Sequence, residues 1–368
     1  MTNKNMSAGF ENGTLDGNAI VYCEGSFNTT YGKTAHGLVR FTWRYKVLSV
    51  LDSRYAGQDA GFVLDGKTKG IPIFASLREA LTEASSRGTP ATHFVIGLAP
   101  DGGILGPEAK VQVLEAVRAG LNVDSGLHHF LSEDPEISVL AENKGVKLRD
   151  VRRVPSRRDL HGFTGKIEEV TSFTIALLGT DSAVGKRTTA WILKDQLDKA
   201  GIKTEMIGTG QTAWLQGVRY GIILDSLVND FVAGEIEHAV WTAWKEQNPR
   251  VMILEGQGSL LNPAYPGGFE LMAAGRPKAV IMQHAPARKE YDGFPGYPLH
   301  PLEKQIKAVE FLYDIPVIGI TINHEDLPKG EIPRICREIS KETGLPVCDP
   351  LVTGMEEIVN IIKKQEAR

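Results

Sequence analysis

SFTIALLGTDSAVGKRTTAWIL, residues 172–193, decides how this chain is read. An apolar run short enough for a buried strand ends at Gly179, a glycine-bearing loop closed by Lys186 follows, and TTAWILKDQLDKAG (188–201) has helical spacing. Strand, loop, lysine, helix is the order that cradles phosphate. The loop N–H groups turn inward, the positive end of the helix points to the same spot, and the lysine adds a mobile charge. A polyphosphate is the natural guest. From Gly179 to Gly185 the loop is one residue longer than GxxxxGK[ST]. The residue after the lysine is Arg187, where a hydroxyl side chain ordinarily serves Mg²⁺. Arginine has no acceptor atom. Either Thr188 or Thr189 takes that place, or the phosphates are held by arginine rather than by magnesium. Candidate phosphate-binding residues are therefore Gly179, Thr180, Gly185, Lys186, Arg187, Thr188 and Thr189. An ammonium group of Lys186 pinned in the interior, beside a turn closed to solvent, would remove this reading.

The rest of the second half repeats the alternation of strand and helix. RVMILEG (250–256) is an apolar strand ending in Glu255, where a P-loop enzyme places the carboxylate that orients magnesium or its water. Gly256 and Gly258 admit a ligand close to the backbone. GTGQTAWLQG (208–217) follows another strand, and its Gly210, Gln211 and Thr212 can present polar groups to a substrate. MQHAPARKEYDGFP (282–295) supplies His284 as a candidate proton carrier and Arg288 as a candidate clamp for a carboxylate or phosphate. Asn323 and Asp326 reproduce the N-x-x-D spacing of nucleotide-base recognition, a short match that recurs by chance.

The first half has the same beat. NAIVYCEG (18–25), KVLSVLDS (46–53), THFVIGLAP and LNVDSG read as strands, with helices at HGLVRFTW, SLREALTEASS and PEAKVQVLEAVRAG between them. Alternation of this kind implies a parallel sheet covered by helices on both faces. GxGxxG is absent, although Asp52 at the end of the second strand stands where an acid bonds a ribose hydroxyl. Ligand binding and a packing role both remain open for this half. Residues 147–171 are rich in arginine and poor in apolar periodicity; they read as a solvated connection, with an anion site as the alternative.

The expected fold is therefore α/β with two domains. A polar N-terminal tail (1–17) precedes a Rossmann-like parallel sheet (18–150), a linker (151–170), and a P-loop NTPase-like parallel sheet (171–368). A length of 368 residues fits two domains at roughly 150 residues each. With 41 basic and 45 acidic residues spread along the chain, net charge −4, there is no field for polyanions or acidic membranes, so no nucleic acid or membrane partner is expected. The three cysteines have no metal or redox spacing, and no apolar run approaches the ~20 residues that cross a bilayer. The expectation is a cytoplasmic homo-oligomer acting on a small molecule.

The loop resembles the GTDTxVGKT cradle of dethiobiotin synthetase, and EGQGS (255–259) is similar to that family's EGAGG strand end. GTDSAVGKRTT, IGTGQTAWL, DFVAGEIEHAV, LEGQGSLLNPAYPG and TGLPVCDPLVTG, in this order, resemble a P-loop family long of unknown function and now named after D-glutamate N-acetyltransferase. That resemblance implies a Rossmann-like first domain, a P-loop second domain, and, for some members, acetyl transfer from acetyl-CoA to the amine of D-glutamate. It places the cradle at Gly179, Thr180, Asp181, Gly185, Lys186 and Thr188, the facing acid at Glu255, and Gly210, Gln211 and Thr212 along the site. SVLDSRYAG and GIPIFASLREAL are similar to the CoA-binding domain of acyl-CoA ligases. The chain departs from the family at Asn262, where a histidine often precedes the proline.

Three functions follow. In acyl transfer from acetyl-CoA, Glu255 or His284 is the base, and Lys186 with Arg187 holds the CoA phosphates. In an ATP-dependent kinase or ligase, Lys186 and Mg²⁺ neutralise the moving phosphoryl group, with Glu255 and Asp181 holding the metal or its water and Thr188 as a further metal ligand. In the third, the protein binds a nucleotide without catalysis.

Overall fold

The computed structural model describes residues 15–367, which divide into two compact units. One comprises the described residues up to Ser156 together with Gln211–Arg219; the other comprises Arg157–Gly210 and the described residues from Tyr220 onward. Most of the expected polar tail lies outside the described residues. Its end is ordered: the Asp16 carboxylate pairs with Arg44 at 3.0 Å and Arg149 at 2.9 Å, and Gly17 opens the first strand.

The N-terminal unit contains β1 (Gly17–Tyr22), β2 (Tyr45–Leu51), β3 (Ile73–Phe74), β4 (His93–Ile96), β5 (Asn122–Ser125) and β6 (Leu148–Asp150). They pair in the order β3-β2-β1-β4-β5-β6, every pairing parallel. This is the doubly wound Rossmann order, with its switch point between β1 and β4. Phe94 and Ile96 are fully buried beside Ile20, as strands covered on both faces require. Asp52 is spoken for within this frame. Its carboxylate accepts the Phe27 N–H at 2.9 Å and pairs with Arg54 at 2.7 Å, so it fixes the loop after β1 instead of facing a ribose.

The C-terminal unit contains β7 (Phe173–Gly179), β8 (Thr204–Gly208), β9 (Tyr220–Gly221), β10 (Val251–Glu255), β11 (Ala279–His284), β12 (Val317–Ile322) and β13 (Val347–Cys348). Their order is β13-β12-β11-β7-β10-β8-β9, again parallel throughout. VMILE of β10 and VIGITI of β12 are buried along their whole length, the continuous apolar pattern of parallel strands. All carboxyl ends share one edge, so the loops after β7, β10, β11 and β12 gather there.

Residues 157–170, read from sequence as part of a solvated connection, lie with the C-terminal unit. Glu237, on the helix Asn229–Gln247, accepts the backbone N–H and hydroxyl of Thr164 and the N–H of Ile167, itself a core residue. Arg152 donates to the Gly126 carbonyl at 2.7 Å and Arg149 pairs with Asp124, uses that compete with anion binding. Among the described residues no helix is long and apolar enough to cross a membrane.

Candidate functional site

The loop after β7 is shaped by backbone that side chains disfavour. Ala183 (φ 51°) and Gly185 (φ 99°) are both left-handed, which turns successive N–H groups to one side. Gly185 is the N-cap of the helix Lys186–Lys199 and no side chain caps that end. Gly179 leaves room for the lysine: a Cβ there would stand 2.7 Å from the Lys186 Nζ and displace it. The lysine therefore folds back over the strand end.

Its ammonium group is buried and hydrogen-bonded, in place of the mobile charge that the sequence suggests. Lys186 is 7% exposed, and Nζ donates to the carbonyls of Asp181 and Gly258, each at 2.8 Å. An ammonium has three donors and no acceptor, so burying it demands such oxygens. The turn beside it stays accessible: Ala183 is exposed, and Ser182, Gly185, Arg187 and Thr188 are half-buried. Lysine held from within, backbone N–H groups outside and an uncapped helix end together fit an anionic polyphosphate.

Thr180 and Thr189 face inward. The Thr180 hydroxyl meets His284 Nδ1 at 3.0 Å, and its N–H donates to the Gln283 carbonyl. The Thr189 hydroxyl donates to Gln283 Oε1 at 2.6 Å, sharing that acceptor with Thr321. Of the two threonines offered for Mg²⁺, Thr188 is thus the one beside the open turn. Glu255 ends β10 opposite Leu177 of β7 and is buried. Burial pushes its pKa up, against the pull of the Arg187 charge, the Thr209 N–H and Lys186. Among the described residues no three His, Cys, Asp or Glu side chains converge as metal ligands. Thr188 and Glu255 make a sparse set for Mg²⁺, which keeps mostly water and phosphate oxygens in such sites.

Asp181, expected in catalysis, is fully occupied. Its Oδ1 accepts from Ser182 N–H (2.6 Å) and Asn262 Nδ2 (2.9 Å), and its Oδ2 from Arg288 Nη1 (3.0 Å) and Asp292 N–H (2.8 Å). A buried carboxylate so saturated is a staple that joins three loops. Arg288 is spent likewise: besides Asp181 it bonds the Ser182 carbonyl at 2.7 Å and Glu325 at 2.8 Å, so it braces the loop rather than clamping a substrate. Asn262 completes the staple, its Oδ1 accepting the N–H groups of Ala264 and Tyr265.

His284 is held neutral, its pKa lowered to about 4 by burial and by the Lys289 charge. A base that weak has little drive to take a proton at neutral pH. Gly210, Gln211 and Thr212 part company, because the chain passes from one unit to the other between Gly210 and Gln211. Gly210 stays near Gln257, while the Thr212 hydroxyl is buried against that of Thr34 at 2.9 Å. Gln283 escaped the sequence reading; its burial beside two hydroxyl donors has no local signature.

Residues 161–359 match the family model described as a domain of unknown function, DUF1611, P-loop domain, and residues 53–154 match the corresponding Rossmann-like domain. The chain is 32% identical over 288 residues to a D-glutamate N-acetyltransferase of Tritonibacter scottomollicae, covering 77% of this chain and 84% of that one. It is 31% identical over 302 residues to a D-glutamate N-acetyltransferase of a Pseudoalteromonas species, covering 79% and 86%. Among solved structures, a DUF1611 family protein from Anabaena variabilis superposes with a TM-score of 0.85 at 27% identity, over 95% of this chain and 99% of that one.

Proposed function

The chain belongs to the DUF1611 family, and from that premise we propose that it is an acyl-CoA-dependent N-acyltransferase of amino-acid metabolism, with D-glutamate the first acceptor to test. The observation that carries the reading is the kinship, over more than three quarters of the chain, with two proteins named for that reaction. The phosphate loop supports it. Acyl-CoA, when bound, supplies a thioester carbonyl activated toward an amine. Lys186, Arg187 and the N–H groups from Ala183 to Thr188 hold its phosphates, and Thr188 offers a hydroxyl beside them. Arg187 is compatible with this chemistry because no phosphoryl group moves and no hydroxyl is needed there for magnesium.

Thiol release from acetyl-CoA in the presence of D-glutamate, against a panel of D- and L-amino acids, tests the proposal directly. Failure to release thiol with any amine sinks it. Lys186→Ala is expected to weaken CoA binding about 10- to 100-fold, the value of one charge-assisted hydrogen bond of roughly 1.5–3 kcal/mol. Unchanged affinity by calorimetry would refute the cradle. A second reading, ATP-dependent phosphoryl transfer, draws on Glu255 standing directly beside the loop-bearing strand. Magnesium-dependent ADP formation with a small substrate would favour it.

A further inference from the structure

Acyl transfer needs a base, and the groups nearest the phosphate loop are poorly placed to be one. Glu255 lies within the fields of Arg187 and Lys186, inside the cradle itself. In any acyl-CoA the pantetheine arm separates phosphates from thioester, so the reacting carbon stands well away from the cradle. The base is to be sought along the same sheet edge at a distance from Gly179.

A histidine–carboxylate pair occupies such a position. His324 follows the end of β12 and Asp349 follows the end of β13. His324 Nδ1 lies 2.6 Å from Asp349 Oδ2, with the imidazole side chain 27% exposed and the carboxylate 1% exposed. A carboxylate only accepts, so Nδ1 carries the proton and the lone pair resides on Nε2. Asp349 is anchored independently: its Oδ1 accepts the N–H groups of Leu351 (2.9 Å) and Val352 (3.2 Å), closing the turn without help from the histidine. The turn therefore does not explain the pair.

The residues on either side of His324 reach the end of β11 and, through Arg288, the phosphate loop. Asn323 donates its N–H to the His284 carbonyl at 2.7 Å, and its amide nitrogen stands 3.9 Å from where a Cβ on Gly185 would be. Glu325 pairs with Arg288, which holds the Ser182 carbonyl. In the sheet, β12 is two strands from β7, about 10 Å across at ~4.8 Å per strand, so the histidine follows a strand set apart from the one that carries the cradle. Asp349 is a charged group that faces His324. Burial, with the Asp349 charge added to it, holds Cys336 and Cys348 as thiols.

We propose that His324, oriented by Asp349, is the general base of the acyl transfer; this rests on the acyltransferase reading above. The amine nitrogen attacks the thioester carbon, the C–N bond forms and the C–S bond breaks. The proton lost from nitrogen passes to His324 Nε2 and then to the departing thiolate, giving amide and free thiol. Asp349 is a positioning residue that fixes the tautomer and steadies the imidazolium.

The test uses the full chain with acetyl-CoA and D-glutamate, followed by thiol release. His324→Asn is expected to lower kcat at least 100-fold, within the usual range for general-base loss, while KM for acetyl-CoA moves less than about threefold. The acid limb of the kcat profile should vanish in that variant, and in Asp349→Asn it should move to lower pH with a reduced plateau. Added imidazole should restore part of the rate in His324→Ala, which a purely structural role would not allow. If wild type transfers acetyl and His324→Asn keeps its kcat and acid limb, the base assignment falls alone. It falls equally if activity is lost only in step with melting temperature and imidazole restores nothing. If wild type releases no thiol with any amine, the acyltransferase reading falls and takes this assignment with it.

Discussion

Four donors converge on the Asp181 carboxylate, and three of them come from residues 81, 107 and 111 positions away in the chain. That separation explains what the sequence concealed. Glycine and lysine in the phosphate loop are legible because the chemistry that requires them is local: left-handed backbone, close approach, one ammonium. Asp181 and Arg288 look like free catalytic and clamping groups until their partners Asn262, Asp292 and Glu325 are placed around them. Removing the carboxylate in Asp181→Ala should cost about 3 kcal/mol, the low end for a broken buried ion pair because Arg288 keeps Glu325. Urea denaturation measures it, and a loss under about 1 kcal/mol would show that the staple is not needed. His284 makes a prediction about pH. Its folded pKa lies near 4 against an ordinary 6.5, so across that window the unfolded chain binds more protons and stability rises with pH. Acidification from 6.5 toward 4 should therefore remove on the order of 2 kcal/mol attributable to this ring. His284→Gln, neutral throughout, should flatten that part of the stability–pH curve; an unchanged slope would mean that the ring is hydrated in the folded state.

Among elements, the long interior strands were plain in the sequence because full burial on both faces forces an unbroken apolar run, as in FTIALLG of β7 and VIGITI of β12. Short edge pairings left no such trace. β3, β9 and β13 have two residues each, and β6 is LRD within a basic stretch, where Arg149 points at Asp124. The helix Ile332–Thr343 carries Ile332, Ile335, Cys336 and Ile339 at helical spacing, but Pro333 in its first turn disguises it as loop. The helix Lys186–Lys199 begins two residues before the stretch read from sequence, so that the lysine itself is its first residue. Gly185 makes this junction possible at φ 99°, a conformation that costs a side-chain-bearing residue roughly 1–2 kcal/mol. Gly185→Ala should lower the melting temperature of the C-terminal unit by several degrees, a 1 kcal/mol change being worth about 2–4 °C in a domain of roughly 200 residues. It should also abolish the thermal shift given by CoA, because relief of the strain rotates the N–H groups away from the turn. A preserved ligand shift would mean that the loop tolerates a second geometry.

At the scale of the whole molecule, the sequence is read with a linker at 151–170, whereas one unit runs to Ser156 and the other starts at Arg157, and the return of Gln211–Arg219 to the N-terminal unit leaves no mark in the sequence. TAWLQG reads as a substrate loop after β8 because small and polar residues cluster there; what recruits it is a set of partners in the first 44 residues. Arg44, 2% exposed, donates to the Trp214 carbonyl at 2.9 Å and stacks its guanidinium 3.7 Å from the indole centroid. Gln216 donates to the carbonyls of Gly37 and Phe41 at 2.9 and 2.8 Å, and its own carbonyl accepts from Trp43 at 2.7 Å. Each of these buried polar groups costs about 1–3 kcal/mol if left without its partner. Three or four such losses match the roughly 5–15 kcal/mol that holds a whole domain together. Residues 1–156 expressed alone should therefore be poorly folded despite carrying every strand of their sheet. The same fragment with 211–219 joined through a flexible linker should recover a cooperative thermal transition, and Trp214→Ala in that fusion should lose most of the gain. A sharp, equally stable transition for 1–156 by itself would show that the returning segment is ornamental to the N-terminal sheet.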